Sequence, residues 1–309
     1  MPSLQQLHQD FLEELEMGQG RATRTVANYD HYLNRFYSSQ SIKAISDITA
    51  ESIRDFRKKL GADTGDIALA TQNYHLIALR QFLKYLAHRD ITALPADKIS
   101  LAKLPERDID VLYPEEVDAL LAAPASLPLK RGGAGGGELE TLRDLTIIQT
   151  LFSTGVRISE LVALDRDDIR QDSNEIPVRG KGNKVRVVFL SADAKKAIDE
   201  YINKRQDVDP ALFIRHKKGA VGPKDDLRLT PRSVQRLIKK YAVQAGITKK
   251  VTPHTLRHSF ATDLLANGAD VRQVQQLLGH SSITTTQIYT HLTDVHLKDI
   301  HAKFHRKKT

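Results

Sequence analysis

The sequence predicts a mainly α-helical chain of two domains that carries one small β-sheet. Four segments within residues 4–90 repeat apolar positions three and four apart, the spacing of an amphipathic helix. They are followed by "TALPADKISLAKLPERDIDVLYPEE", residues 92–116, which holds three prolines, many charges and little periodicity. In the otherwise helical remainder, two β-branched runs flank Gly-Lys-Gly-Asn, the pattern of a hairpin.

Taken in order, "LHQDFLEELE", "TRTVANYDHYLNRFYSS", "TAESIRDFRKKL" and "TQNYHLIALRQFLKYLAHR" read as four helices of a small bundle, the third capped by Thr49 ahead of Glu51. The chain's 309 residues suit two domains. The expected division is a helical domain over 1–102, a linker over 103–112 and a second domain over 113–309. "YPEEVDALLAA" opens the second domain as a helix. "RGGAGGG", residues 131–137, reads as a flexible loop, since clustered glycines favour neither helix nor strand. "LRDLTIIQTLFSTGVRISELVAL" reads as two helices broken at Gly155, and "NEIPVRGKGNKVRVVFL" as the hairpin. Helices follow at "ADAKKAIDEYINKR", "TPRSVQRLIKKYAVQAG", "TPHTLRHSFATDLLANG" and "DVRQVQQLLG".

Composition narrows the chemistry. With no cysteine there is no disulfide, thiol nucleophile or cysteine metal site, which fits a cytoplasmic protein. No apolar run approaches the roughly 20 residues that span a bilayer, and the acidic N-terminus lacks the basic-then-apolar order of a signal peptide. The net charge is +8. Through Pro105 the chain has 13 Lys and Arg against 12 Asp and Glu, leaving 33 against 26 beyond it. A polyanionic partner would therefore be drawn mostly to the second domain.

Several residues could carry chemistry. In "TPHTLRHSFAT" Thr252 is a natural N-cap and Pro253 suits the first helical position, so His254 and Arg257 share a face near a partly positive helix start. A capped helix with a satisfied histidine and a surface arginine explains the same residues. In "TGVRISEL", Arg157 and Glu160 stand three apart, either as an exposed helical ion pair of small value or as a carboxylate orienting a phosphate-binding guanidinium. Lys181 sits at the hairpin tip, where a lysine is either solvated or a movable proton donor. His280 follows Gly279 at a turn, and Tyr289 lies in "HSSITTTQIYTH", a polar run unlike an ordinary tyrosine's apolar stripe. Two arginines can neutralise a phosphodiester without a metal, and a phenolic oxygen can attack phosphorus.

The order "TGVRISEL … GKGNK … HTLRHSFAT … LLGHSSITTTQIYTH" resembles the tyrosine site-specific recombinases, the phage integrase family, and within it the Xer group. Residues 1–105 resemble the family's core-binding helices more loosely. The resemblance implies a two-domain C-shaped clamp on double-stranded DNA that cuts and rejoins strands through a 3′-phosphotyrosyl ester, with no cofactor, metal or ATP. It implies Tyr289 as nucleophile, Arg157 and Arg257 on the non-bridging oxygens, and His254 in proton transfer. His280 would hydrogen-bond the phosphate, Lys181 protonate the 5′-oxygen, and Glu160 support the site. It further implies four subunits on two DNA sites, linked through a C-terminal helix bearing Leu297, Ile300 and Phe304. A role in resolving chromosome or plasmid dimers follows, cytoplasmic and nucleoid-associated, with a DNA translocase as a possible activator. Integration of a mobile element, a DNA-binding protein that does not cut, and a relaxing topoisomerase are the alternatives. The glycine run at 131–137 departs from the more compact family pattern.

Overall fold

Ser3 starts the first helix, its hydroxyl accepting the Gln6 amide at 3.1 Å and so satisfying one of the amides a helix start leaves unpaired. Helix α1 (Leu4–Glu13) continues into a wider π turn, Glu14–Gly18, and α2 (Thr23–Gln40), α3 (Ala50–Ala62) and α4 (Leu69–His88) follow. Thr49 does cap α3. Its reciprocal partner is Ser52 rather than an acid: the Ser52 amide donates to Thr49 Oγ1 at 3.1 Å, and the Thr49 amide donates to Ser52 Oγ at 3.0 Å. These elements form the first of two units in this computed structural model, Met1–Arg107 and Asp108–Thr309. The structure describes residues 2–62, 67–105, 110–126, 136–180, 184–216 and 226–279.

Four phenylalanines, one on each helix of the first unit, make its centre. Phe11, Phe36, Phe56 and Phe82 are each at most 1% exposed. Phe36 meets Phe56 edge to face at 5.1 Å between ring centroids, and Phe11 meets Phe82 in the same way at 5.4 Å, the geometry that ring quadrupoles favour. At the end of the unit, Asn73 on α4 donates to the Ala102 carbonyl and accepts the Ala102 amide, at 2.8 and 3.0 Å.

The second unit holds α5 (Pro114–Ala122), α6 (Gly136–Thr154), α7 (Ile158–Ala163), α8 (Ala192–Lys204), α9 (Pro231–Gln244), α10 (Pro253–Ala266) and α11 (Val271–Leu278). Its sheet pairs β1 (Glu175–Arg179) with β2 (Val185–Phe189), antiparallel, Val178 opposite Arg186. The fold is mainly helical with this small sheet. Helix α6 lies at its heart: Ile147, Ile148 and Leu151 are buried, as are Thr146, Thr150 and Thr154. Each threonine hydroxyl donates to the carbonyl one turn back, at 2.7, 2.7 and 2.6 Å, so the helix enters the core without leaving a hydroxyl unpaired.

The glycine run departs from the expected loop in one respect. Helix α6 begins at Gly136, so the last two glycines belong to its first turn, where Thr141 Oγ1 donates to the Gly137 carbonyl at 2.8 Å. Residues 131–135 of the run lie outside the described residues. Among the described residues no helix is long and apolar enough to cross a membrane.

Candidate active site

The break between α6 and α7 is built on Gly155, whose φ of 59° is left-handed. A β-carbon there would also overlap the Phe260 ring and come within 3.0 Å of Leu278. Glycine is required on both counts. The turn frees the Gly155 carbonyl, which accepts Arg257 Nη1 at 2.6 Å. It also places Arg157 at the cap of α7.

Glu160, three residues into α7, is not the exposed partner of a surface ion pair. Its side chain is 3% exposed and accepts four hydrogen bonds. Two come from Arg157, through its amide at 2.8 Å and Nη1 at 2.9 Å. Two come from the parallel fork of Arg186, through Nη1 at 2.8 Å and Nη2 at 2.7 Å. Burial opposes the charged carboxylate, but the Arg186 fork and the Arg157 amide outweigh it and hold the pKa at about 2. That value lies below the ordinary 4.5, so the stabilisation is complete above the unfolded-state pKa and drains as pH falls toward the folded one. It is on the order of 3 kcal/mol at neutral pH. Urea melts of wild type and Glu160→Gln should therefore differ most above about pH 5, with the gap narrowing toward about pH 2.

Helix α10 supplies the second pair. Thr252 caps it, accepting the Thr255 amide at 3.1 Å, and Pro253 takes the first helical position, as the sequence predicts. His254 and Arg257 are not equally open, however. His254 is exposed, whereas Arg257 is 3% exposed and turned inward. The inward turn has a cause: two carbonyls lacking helical partners, Gly155 and Leu278, each lie 2.6 Å from its terminal nitrogens. Partial burial first, then the charges of Arg257 and Arg157, push His254 below the usual histidine range. Burial, then His254 and Arg257, push His258 down to about 4. Burial and the two guanidiniums beside His254 thus favour its uncharged imidazole, the form that can accept a proton.

The arginines converge on the end of α11. Its last two carbonyls and that of its cap take three different arginines: Leu277 accepts Arg186 Nε at 3.2 Å, Leu278 accepts Arg257 Nη2 at 2.6 Å, and Gly279 accepts Arg157 Nη2 at 3.3 Å. A helix C-terminus gathers cations because its unpaired carbonyls and its dipole are both negative there. Arg157, Glu160, His254 and Arg257 are thus brought together. Lys181, His280 and Tyr289 lie outside the described residues, as do Leu297, Ile300 and Phe304. The described residues next to Lys181 and His280 are at the site. Gly180, before Lys181, closes the hairpin by donating to the Lys184 carbonyl at 2.8 Å. Gly279, before His280, ends α11 with a φ of 64°.

Residues 110–296 match the phage integrase family, and residues 7–93 match the phage integrase N-terminal SAM-like domain. The chain belongs to the phage integrase family. Among its relatives is the tyrosine recombinase XerC of Myxococcus xanthus, 36% identical over 99% of both chains. The tyrosine recombinase XerD of Oceanobacillus iheyensis is 33% identical over 96% of this chain and 97% of its own. The crystal structure of XerA recombinase is 29% identical, covering 98% of this chain and 99% of its own, with a TM-score of 0.53. XerH site-specific recombinase bound to palindromic difH substrate has a TM-score of 0.70 over 97% of this chain and 85% of its own; at 22% identity it shows the fold alone.

One member of this integrase-family site escapes a reading of the sequence. Arg186 stands in "VRVVF" between valines, and hydrophobic alternation would turn Val185, Val187 and Phe189 inward and the arginine out. The structure does the reverse: those three are 55%, 44% and 52% exposed, while Arg186 faces the core side with Val188. An arginine in register with a buried valine was the available signal; the pairing of Ile176 with Val188 and of Val178 with Arg186 sets the inward face, and Glu160 satisfies the guanidinium there.

Proposed function

We propose that this chain is a site-specific DNA recombinase of the Xer kind, which resolves chromosome or plasmid dimers by cutting and rejoining strands through a 3′-phosphotyrosyl intermediate. The observation that carries this reading is the convergence of Arg157 and Arg257 on adjacent carbonyls at the end of α11, with His254 within reach of both charges. Such a cluster can take a phosphodiester in place of the carbonyls and stabilise the charge that grows on its non-bridging oxygens. Tyr289 Oη attacks the phosphorus, giving its proton toward His254, as the bond from phosphorus to the 5′-oxygen breaks. Lys181 supplies the proton that makes that oxygen a hydroxyl, and His280 hydrogen-bonds the phosphate. The ester keeps the bond's free energy, so a second strand's 5′-hydroxyl can reverse the step on a new partner.

In the same reading residues 1–102 form the core-binding domain, 103–112 the linker and 113–309 the catalytic domain of a clamp around duplex DNA. Four subunits act on two sites, joined through the C-terminal helix, in the cytoplasm and at the nucleoid, with a DNA translocase as activator. The XerC and XerD relatives, matched over nearly the whole of both chains, support the recombinase assignment.

The test is a nicked suicide duplex carrying a candidate site, incubated with the protein and a chelator. The expected product on a denaturing gel is a covalent protein–DNA adduct. The released strand should accept a label from polynucleotide kinase without prior phosphatase, because its end is a 5′-hydroxyl. Release of a 5′-phosphate, or dependence on added Mg²⁺, would reject the reading.

A further inference from the structure

We infer that Arg186 is a positioning residue for strand cleavage, a single side chain that holds the Arg157–Glu160 pair, the base of the β1–β2 hairpin and the end of α11 in one arrangement. On the recombinase reading, which this role presupposes, Arg186 acts through Glu160, Leu277 and the neighbouring backbone, its contacts among the described residues, on three segments that lead to the reacting groups.

The strand register turns Arg186 toward the core opposite Val178, where its side chain is 15% exposed. A guanidinium in that position is tolerated only if its donors are paired. Its fork meets both oxygens of Glu160, and its Nε meets the Leu277 carbonyl. Arg157 shares that carboxylate through one guanidinium bond at 2.9 Å, is 36% exposed, and otherwise reaches Gly279 by a contact at 3.3 Å. Without the Arg186 fork, Glu160 could pivot about its two bonds to Arg157, and the Arg157 guanidinium would lose its rigid backing.

Two glycines show how closely the neighbouring segments approach this side chain. A β-carbon on Gly279 would lie 2.9 Å from Arg186 Cδ and 3.1 Å from its Nε. The backbone immediately before His280 thus runs directly against the arginine stem. A β-carbon on Gly180 would lie 3.6 Å from Arg186 Nη1 and 3.6 Å from Glu160 Oε1, so the residue before Lys181 rests over the ion pair itself. Lysine could keep the charge here, but it could not make the planar fork and the Nε bond together.

The experiment uses the full-length chain as wild type, Arg186→Lys and Arg186→Gln. Three quantities are read: affinity for duplex DNA, thermal midpoint, and the single-turnover rate of adduct formation at saturating DNA. The rate is measured on an ordinary scissile phosphate and on a methylphosphonate, in which a neutral methyl replaces one charged oxygen. Both variants should bind DNA within about threefold of wild type and cleave the phosphodiester about 10- to 100-fold more slowly, since small misplacements of a reacting group cost that much. On the methylphosphonate the deficit should shrink to about threefold or less, because less charge then awaits Arg157. A part that only filled the core would slow both substrates equally. Equal deficits on the two, or wild-type rates in both variants, would overturn the role. If Arg186→Gln is too unstable to assay, Arg186→Lys decides by the same comparison. Absence of an adduct with the wild-type chain on either substrate would instead count against the recombinase reading.

Discussion

Tyr289→Phe should bind duplex DNA as well as the unaltered chain and form no covalent adduct with it. The substitution removes one oxygen and leaves a ring of nearly the same size, so on the proposed mechanism only the nucleophile is lost. Loss of a covalent nucleophile is not made up by its neighbours, and the rate should fall by at least about 10⁴-fold. The chain permits the assignment. Tyr289 stands ten residues beyond Gly279, where the arginines converge, and ten residues can reach about 33 Å. Tyr201 and Tyr241 of the same unit are poor substitutes: both are at most 1% exposed, and burial raises the pKa of both. A gel shift beside a denaturing gel checks both halves of the expectation. An adduct from the Phe variant would transfer the role to another residue.

Replacing Arg257 should strike catalysis and stability together. Its guanidinium is 3% exposed and bridges Gly155 to Leu278, joining the α6–α7 turn to the end of α11. Arg257→Gln leaves two carbonyls short of a charged donor, which should lower unfolding free energy by about 2–5 kcal/mol. On the proposed mechanism it also removes one of the two guanidiniums that hold the phosphate, a loss of about 10²- to 10³-fold in single-turnover cleavage. Arg157→Gln gives the control. Its side chain is 36% exposed, so its stability loss should be the smaller while its cleavage loss is similar. Urea denaturation and adduct kinetics on the same preparations separate the two effects. Undiminished cleavage by Arg257→Gln would remove it from the site.

Much of this architecture is legible residue by residue. The spacing in "TQNYHLIALRQFLKYLAHR" anticipates α4, and Thr49 and Thr252 mark the starts of α3 and α10. Gly155 marks the break before α7. Other features are not legible, and each has a physical cause. Arg157 and Glu160 read more readily as a solvated helical pair, because spacing says nothing of burial; Arg186, 26 residues from Glu160, is what makes that carboxylate the hub of a network. Arg257 reads as a surface residue near a helix start, because the carbonyls that draw it inward lie 102 and 21 residues away. The last two glycines of the run at 131–137 read as loop, yet the helix that starts at Gly136 tolerates them in its first turn.

Periodicity, capping and motif order are written in neighbouring residues, so α1 to α11, the caps at Thr49 and Thr252, the hairpin and the family resemblance can be read from the chain alone. The tertiary structure alone decided which face of β2 turns inward, how deep Glu160 and Arg257 lie, and that three arginines meet at the end of α11. Those outcomes depend on burial and on hydrogen bonds between distant segments, such as Arg157 with Gly279, 122 residues apart. A charge takes its pKa and its function from the neighbours that folding brings to it.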